Sequence, residues 1–186
     1  MARTESNILS FCTFAPVFTL PDTISGENFA FSEQADFDAY LIMFICNHCP
    51  YVIHVLEEVL RLARDFQKQN VCVLAISSND VEGYPQDGPE QMKALGREKQ
   101  FPFPYLYDES QEVAKAYDAA CTPDFYLFDR NKILVYRGRM DESRPQSGIP
   151  VSGKDLREAL SVVLSGGSPK PLQYPSMGCN IKWKSK

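Results

Sequence analysis

Apolar residues fall into two alternating patterns along the chain. Tyr40 to Ile45 and Val71-Cys72-Val73-Leu74-Ala75-Ile76 are unbroken runs, as expected of central parallel strands covered on both faces. Between them Val52, Val55, Leu56, Val59, Ala63 and Phe66 recur at helical spacing. Glu57, Glu58, Arg61, Arg64, Asp65 and Lys68 fill the opposite face, which predicts an amphipathic helix with Pro50 in its first turn. Upstream, Val17 to Leu20 and Phe29 to Phe31 flank the turn-like Ser25-Gly26-Glu27-Asn28 and read as a small hairpin.

Downstream, Ser77 to Pro89 is polar, holds Pro85, Gly88 and Pro89, and reads as a loop of the kind that carries function. A helix is expected over Glu90 to Lys99, and a shorter one over Ser110 to Tyr117 with Ser110 as N-cap. Asp124 to Phe128 and Ile133 to Tyr136 flank the turn Asp129-Arg130-Asn131-Lys132 as a second hairpin. A last helix runs from a Ser152 cap to Leu164 and stops near Gly166-Gly167. Residues 166–186, with Pro169, Pro171 and Pro175, read as an extended tail.

The chain has 186 residues, 44% of them hydrophobic, which suits one α/β domain with an ample core. With 19 basic against 24 acidic residues, a net charge of −5 and no basic stripe, nucleic acid is a poor partner. No run approaches the roughly 18 apolar residues that span a bilayer, and no long apolar stretch follows the N-terminus, so a cytoplasmic protein without a membrane partner is expected. In that reducing compartment the six cysteines are mostly free thiols, and any disulfide among them is catalytic or regulatory.

Cys46-Asn47-His48-Cys49-Pro50 lies where the first long strand turns into the amphipathic helix. A thiolate at a helix N-terminus faces unpaired N–H groups and the positive end of the dipole, which lower its pKa. C-x-x-C near a βαβ pattern is a signature of thiol redox chemistry. On this reading Cys46 is the more nucleophilic thiol.

The element order resembles the thioredoxin fold with the N-terminal extension of the redoxin and peroxiredoxin group. Ala15-Pro16-Val17-Phe18-Thr19-Leu20-Pro21-Asp22 is similar to the redoxin entry into the first strand. Thr122-Pro123 resembles the cis-proline loop that faces the dithiol in such proteins, and the Cys-Asn-His-Cys-Pro motif resembles a bacterial branch of the redoxin (AhpC/TSA-like) group. The resemblance implies a single thioredoxin-like domain over residues 1–186 that works by thiol-disulfide exchange without a cofactor. Cys46 then matches an exposed attacking cysteine and Cys49 a buried resolving one. Protein or small-molecule disulfides are the implied substrates, with a reductant such as thioredoxin or glutathione. His48 matches the histidine of protein disulfide isomerase, where an imidazolium stabilises the reduced form.

Two departures shape the alternatives. The position before the first cysteine, tryptophan in thioredoxin, is Ile45. Peroxiredoxins carry Thr or Ser three residues before a Cys-Pro pair, and that position is Cys46 here, so a thiol peroxidase with Arg137 or Arg139 as the peroxide-binding cation is the second reading. Cys121 beside Thr122-Pro123 and Cys179 on the tail are candidate additional redox thiols, Cys72 reads as inert core, Cys12 has no motif around it, and His54 reads as a surface residue. A non-enzymatic alternative has Cys46, Cys49, Cys121 and Cys179, with His48 nearby, holding zinc or an iron-sulfur cluster, although no second C-x-x-C pair is present.

Overall fold

The structure is a computed structural model that describes residues 3–7 and 13–185. Cys12 lies outside these residues. A central sheet carries strands in the order β6-β5-β4-β8-β9: β4 (Ala39–Phe44), β5 (Val71–Ser77), β6 (Tyr105–Tyr107), β8 (Asp124–Asp129) and β9 (Leu134–Gly138). β4, β5 and β6 run parallel, β8 pairs antiparallel with β4, and β9 pairs antiparallel with β8. The unbroken apolar runs follow from burial on both faces. Leu41 and Met43 of β4 face one core and Tyr40, Ile42 and Phe44 the other.

The first core is closed by α1 (Pro50–Gln67), α2 (Pro89–Glu98) and α4 (Lys154–Leu164). Val52, Val55, Leu56, Val59, Ala63 and Phe66 all face it, as the periodicity of α1 requires. Glu58 departs from its expected place on the solvent face. It is buried and held by Arg61 (2.7 Å) and Arg157 (2.6 Å), so paired charge replaces solvent there. The second core is closed by α3 (Glu112–Ala116) and by the hairpin β2 (Thr19–Pro21) and β3 (Asn28–Ala30), with Phe18 stacked on Phe31 and Tyr117 wedged among Phe18, Phe44, Tyr126 and Phe128.

The expected caps shift by one residue. Gln111 and Gly153 are the cap residues, both left-handed (φ 64° and 66°), while the hydroxyls of Ser110 and Ser152 accept N–H bonds from Glu112 and Lys154 just beyond them.

The extended tail is paired: it forms β10 (Met177–Asn180), which lies between β1 (Arg3–Glu5) and β7 (Cys121–Thr122) in a separate antiparallel sheet. A side chain at Gly178 would collide with the Thr122 carbonyl oxygen, so glycine is what lets the two backbones come together. No described helix is long and apolar enough to cross a membrane.

Candidate active site

β4 delivers Cys46 to the end of the sheet, and Cys49 is the extended N-cap of α1, with Pro50 opening the helix. The tight connection between them is pinned from outside by Asp87, a fully buried carboxylate on the short 3-10 turn Pro85–Asp87. One of its oxygens accepts the backbone N–H groups of Asn47 (2.8 Å) and His48 (3.3 Å). The other meets His48 Nδ1 (2.6 Å) and the Asn79 amide (2.8 Å). Tyr84 stacks on the His48 ring at 5.4 Å, and Tyr105 donates its hydroxyl to the Asn47 side chain at 3.0 Å. His48 is thus held as well as placed. A ring nitrogen of His48, an Asp87 oxygen and the Cys46 sulfur lie within 4.8 Å of one another.

Thr122 faces the dithiol from the opposite side. Its peptide bond to Pro123 is cis, as the sequence suggested. Its hydroxyl is 3.4 Å from Cys46 Sγ and its carbonyl oxygen 3.1 Å from Cys49 Sγ. Cys179 of β10 pairs directly with Thr122. Directly opposed residues of an antiparallel pair share a face. Cys179 therefore presents its sulfur where Thr122 presents its hydroxyl, on the side of Cys49. Cys121, one position away, takes the other face, where its sulfur is 3.8 Å from the Pro123 carbonyl and near Asp124 and Arg137.

One expectation about the thiols is corrected: Cys46 is not exposed, with 1% of its surface accessible, against 0% for Cys49 and 5% for Cys179. The two sulfurs of the dithiol titrate as a pair. The adjoining Cys49 thiol, burial and the nearby Asp87 carboxylate hold the Cys46 pKa above the ordinary thiol value. The Cys49 pKa is lowered to about 5, chiefly by the Cys46 thiol, and further by the Cys179 thiol and the N–H groups of Val52 and Cys179. The bond to the Thr122 carbonyl favours a protonated Cys49, but one acceptor is outweighed by four donors. The helix N-terminus acts on the residue that caps it, and that residue is Cys49. Burial and the Cys49 contact push Cys179 up to about 12, and burial pushes Cys72 to about 12, in keeping with an inert core thiol.

Residues 13–137 match the AhpC/TSA family. The chain belongs to that family. An uncharacterized conserved protein from Geobacillus kaustophilus is 52% identical, with a TM-score of 0.97 over 100% of this chain and 98% of the other. A hypothetical protein from Sinorhizobium meliloti 1021 is 45% identical, with a TM-score of 0.96 over 98% of this chain and 100% of that one. A thiol:disulfide interchange protein of the thioredoxin family from Chlorobium tepidum TLS is 14% identical and has a TM-score of 0.64, covering 84% of this chain and 99% of its own; that likeness is one of fold. No curated protein matches. The fold is thioredoxin-like.

Other candidate residues of this AhpC/TSA protein sort differently. Arg137 is buried against Asp124 (3.0 Å) and Arg139 pairs with Asp155 (2.6 Å), so both cations are already engaged by carboxylates. His54 is half-buried and bonds Ser143 at 3.1 Å rather than lying on the surface. The four-cysteine metal set is not assembled: among the described residues the one group at metal-ligand spacing is Cys46, His48 and Asp87, and both Asp87 oxygens already accept two hydrogen bonds. Sequence reading missed Asp87 and Asn79. Their one signal was their place in a polar loop following a central strand.

Proposed function

We propose that the protein is a thiol-disulfide oxidoreductase whose dithiol is Cys46 and Cys49. The observation that carries this reading is that Thr122 brings a hydroxyl to one sulfur and a carbonyl to the other across a cis-proline bond. Exchange needs a thiolate, a second thiol to resolve the mixed disulfide, and stabilisation of the departing sulfur. Here the roles run opposite to those expected from the motif. Cys49 thiolate attacks a substrate disulfide, releasing one half as a thiol. Cys46 then attacks the Cys49 sulfur, the Cys46–Cys49 bond forms, and the second half leaves as a thiol. The Thr122 hydroxyl serves Cys46 whenever that sulfur carries charge. Asp87 and His48 position the loop.

The test is dithiothreitol-driven reduction of a small aromatic disulfide by wild type, Cys46→Ser and Cys49→Ser. Turnover that needs both cysteines is expected; undiminished turnover in either variant would sink the assignment. Peroxidase activity is the second reading, favoured by the low-pKa Cys49 followed directly by Pro50. Against it stands the engagement of Arg137 and Arg139 by carboxylates. Hydrogen peroxide turnover that survives Cys46→Ser and vanishes in Cys49→Ser would establish that reading instead.

A further inference from the structure

We propose that Cys179 is a third redox thiol, and that the oxidised protein passes its disulfide from Cys46–Cys49 to Cys49–Cys179. This rests on the Cys46–Cys49 dithiol of the proposed function and adds the chain's own tail as its internal exchange partner.

The geometry is that of a row rather than a cluster. Thr122 touches both sulfurs of the dithiol, its carbonyl lies 3.1 Å from Cys49 Sγ, and Cys179 is its cross-strand partner, which sets the Cys179 thiol beside Cys49. Disulfide exchange requires an incoming sulfur, a central sulfur and a leaving sulfur, and Cys49 occupies the central place. Three separate features hold Cys179 there. β10 pairs with β7 in the register Cys179↔Thr122. Gly178 admits the close backbone approach to Thr122. Beyond the strand, the backbone N–H of Lys182 donates to Asn79 (2.9 Å), whose amide binds Asp87, and the Lys182 carbonyl accepts from Asp80 (2.8 Å) and Gln111 (2.8 Å). The tail is therefore anchored to the same loop that anchors the dithiol.

The step balances without an outside oxidant. Cys179 loses its proton and attacks the Cys49 sulfur of the Cys46–Cys49 disulfide. The Cys49–Cys179 bond forms as the Cys46–Cys49 bond breaks, and Cys46 leaves as a thiolate beside the Thr122 hydroxyl and takes up the proton. One disulfide is exchanged for another, with no net change of oxidation state. Cys46 and Cys49 are buried in the core, and Cys179 belongs to the C-terminal strand paired against Thr122, so the relay moves the disulfide from within the dithiol to a bond between the dithiol and the tail.

The experiment uses full-length protein and oxidised glutathione as probe. In Cys46→Ser, glutathione on Cys49 is expected to be displaced by Cys179, so that non-reducing peptide maps show a Cys49–Cys179 bridge and roughly tenfold less adduct than in Cys46→Ser/Cys179→Ser, as a neighbouring thiol at high effective concentration dictates. Gly178→Ala, which leaves every sulfur in place but pushes β10 off β7, should in the Cys46→Ser background lower the yield of that bridge several-fold. Equal adduct in the Cys46→Ser variant and the double variant would overturn the relay, and so would a bridge yield indifferent to Gly178→Ala. Cys179→Ser separates the two readings. If it still forms the Cys46–Cys49 bridge while Cys46→Ser never forms Cys49–Cys179, the relay fails and the dithiol stands. If Cys46–Cys49 never forms, both fail.

Discussion

Asp87 and Asp124 are both fully buried carboxylates within reach of the site, and they are built on opposite terms. Asp87 accepts four hydrogen bonds, two of them from the backbone of the dithiol loop. Asp124 meets Arg137 and the Tyr126 hydroxyl through one oxygen, while its other oxygen and two of the Arg137 nitrogens make no hydrogen bond, one of those nitrogens lying 4.0 Å from Asp118. Burial raises the Asp124 pKa to about 6 against the pull of Arg137. Arg137 also donates to the Asp118 carbonyl (2.8 Å), but neither side chain of this pair holds the dithiol loop, and a buried ion pair of that kind is replaceable by apolar residues. A pair is not replaceable when its carboxylate also satisfies backbone N–H groups, because those remain after the partner is gone. The two regions teach that burial alone does not distinguish a carboxylate of the fold from a carboxylate of the site.

The largest effect is expected at Asp87. Asp87→Ala should cost about 3–5 kcal/mol of stability in urea denaturation, and the loosened loop should slow disulfide exchange on the order of a hundredfold. Arg137→Met alone should cost about as much, but combining it with Asp124→Leu should return the protein to within about 2 kcal/mol of wild type. The corresponding pair, Asp87→Leu with His48→Leu, should recover nothing. Equal recovery in both pairs would erase the contrast.

Titration separates the regions next. A carboxyl whose folded pKa lies near 6, above its ordinary 3.8, binds its proton more tightly when folded. Stability from this group is full at low pH and is lost as pH rises between about 4 and 6, by on the order of 3 kcal/mol. Asp124→Asn should flatten that part of the profile. Cys49, lowered from 9.0 to about 5, acts with the opposite sign. Its contribution is present in alkali and lost as pH falls from about 9 through about 5. The smallest signal is the thiolate ultraviolet absorbance near pH 5, expected to vanish in Cys49→Ser and to persist in Cys46→Ser. A transition that follows Cys46 instead would restore the roles read from the motif.

What the sequence made legible was whatever local chemistry decides. An apolar run, a proline at the first helical position and a 3.6-residue period placed the dithiol between β4 and α1 with little error. Thr122-Pro123 was readable because its position before a strand matched a known loop. Asp87 was not, because its partners lie some forty positions away and a turn containing Pro85 and Gly88 carries no periodic signal. β6 and β7, of three and two residues, are too short to show a pattern, and the sequence Met-Gly-Cys-Asn of β10 has none. Reading Cys46 as exposed followed from the same blindness to distant contacts, since Thr122 meets its sulfur and Asp87 lies beside it. Exposure is a property of what covers a residue, and local sequence does not name the cover.

β10 is also translated after every other described element, and this has a consequence for the protein's first moments. The central sheet and α1 can assemble on a nascent chain before residues 177–180 exist. Until then β7, which carries Thr122, has no strand beside it, so the wall of the site that faces the dithiol is completed only when the tail is supplied.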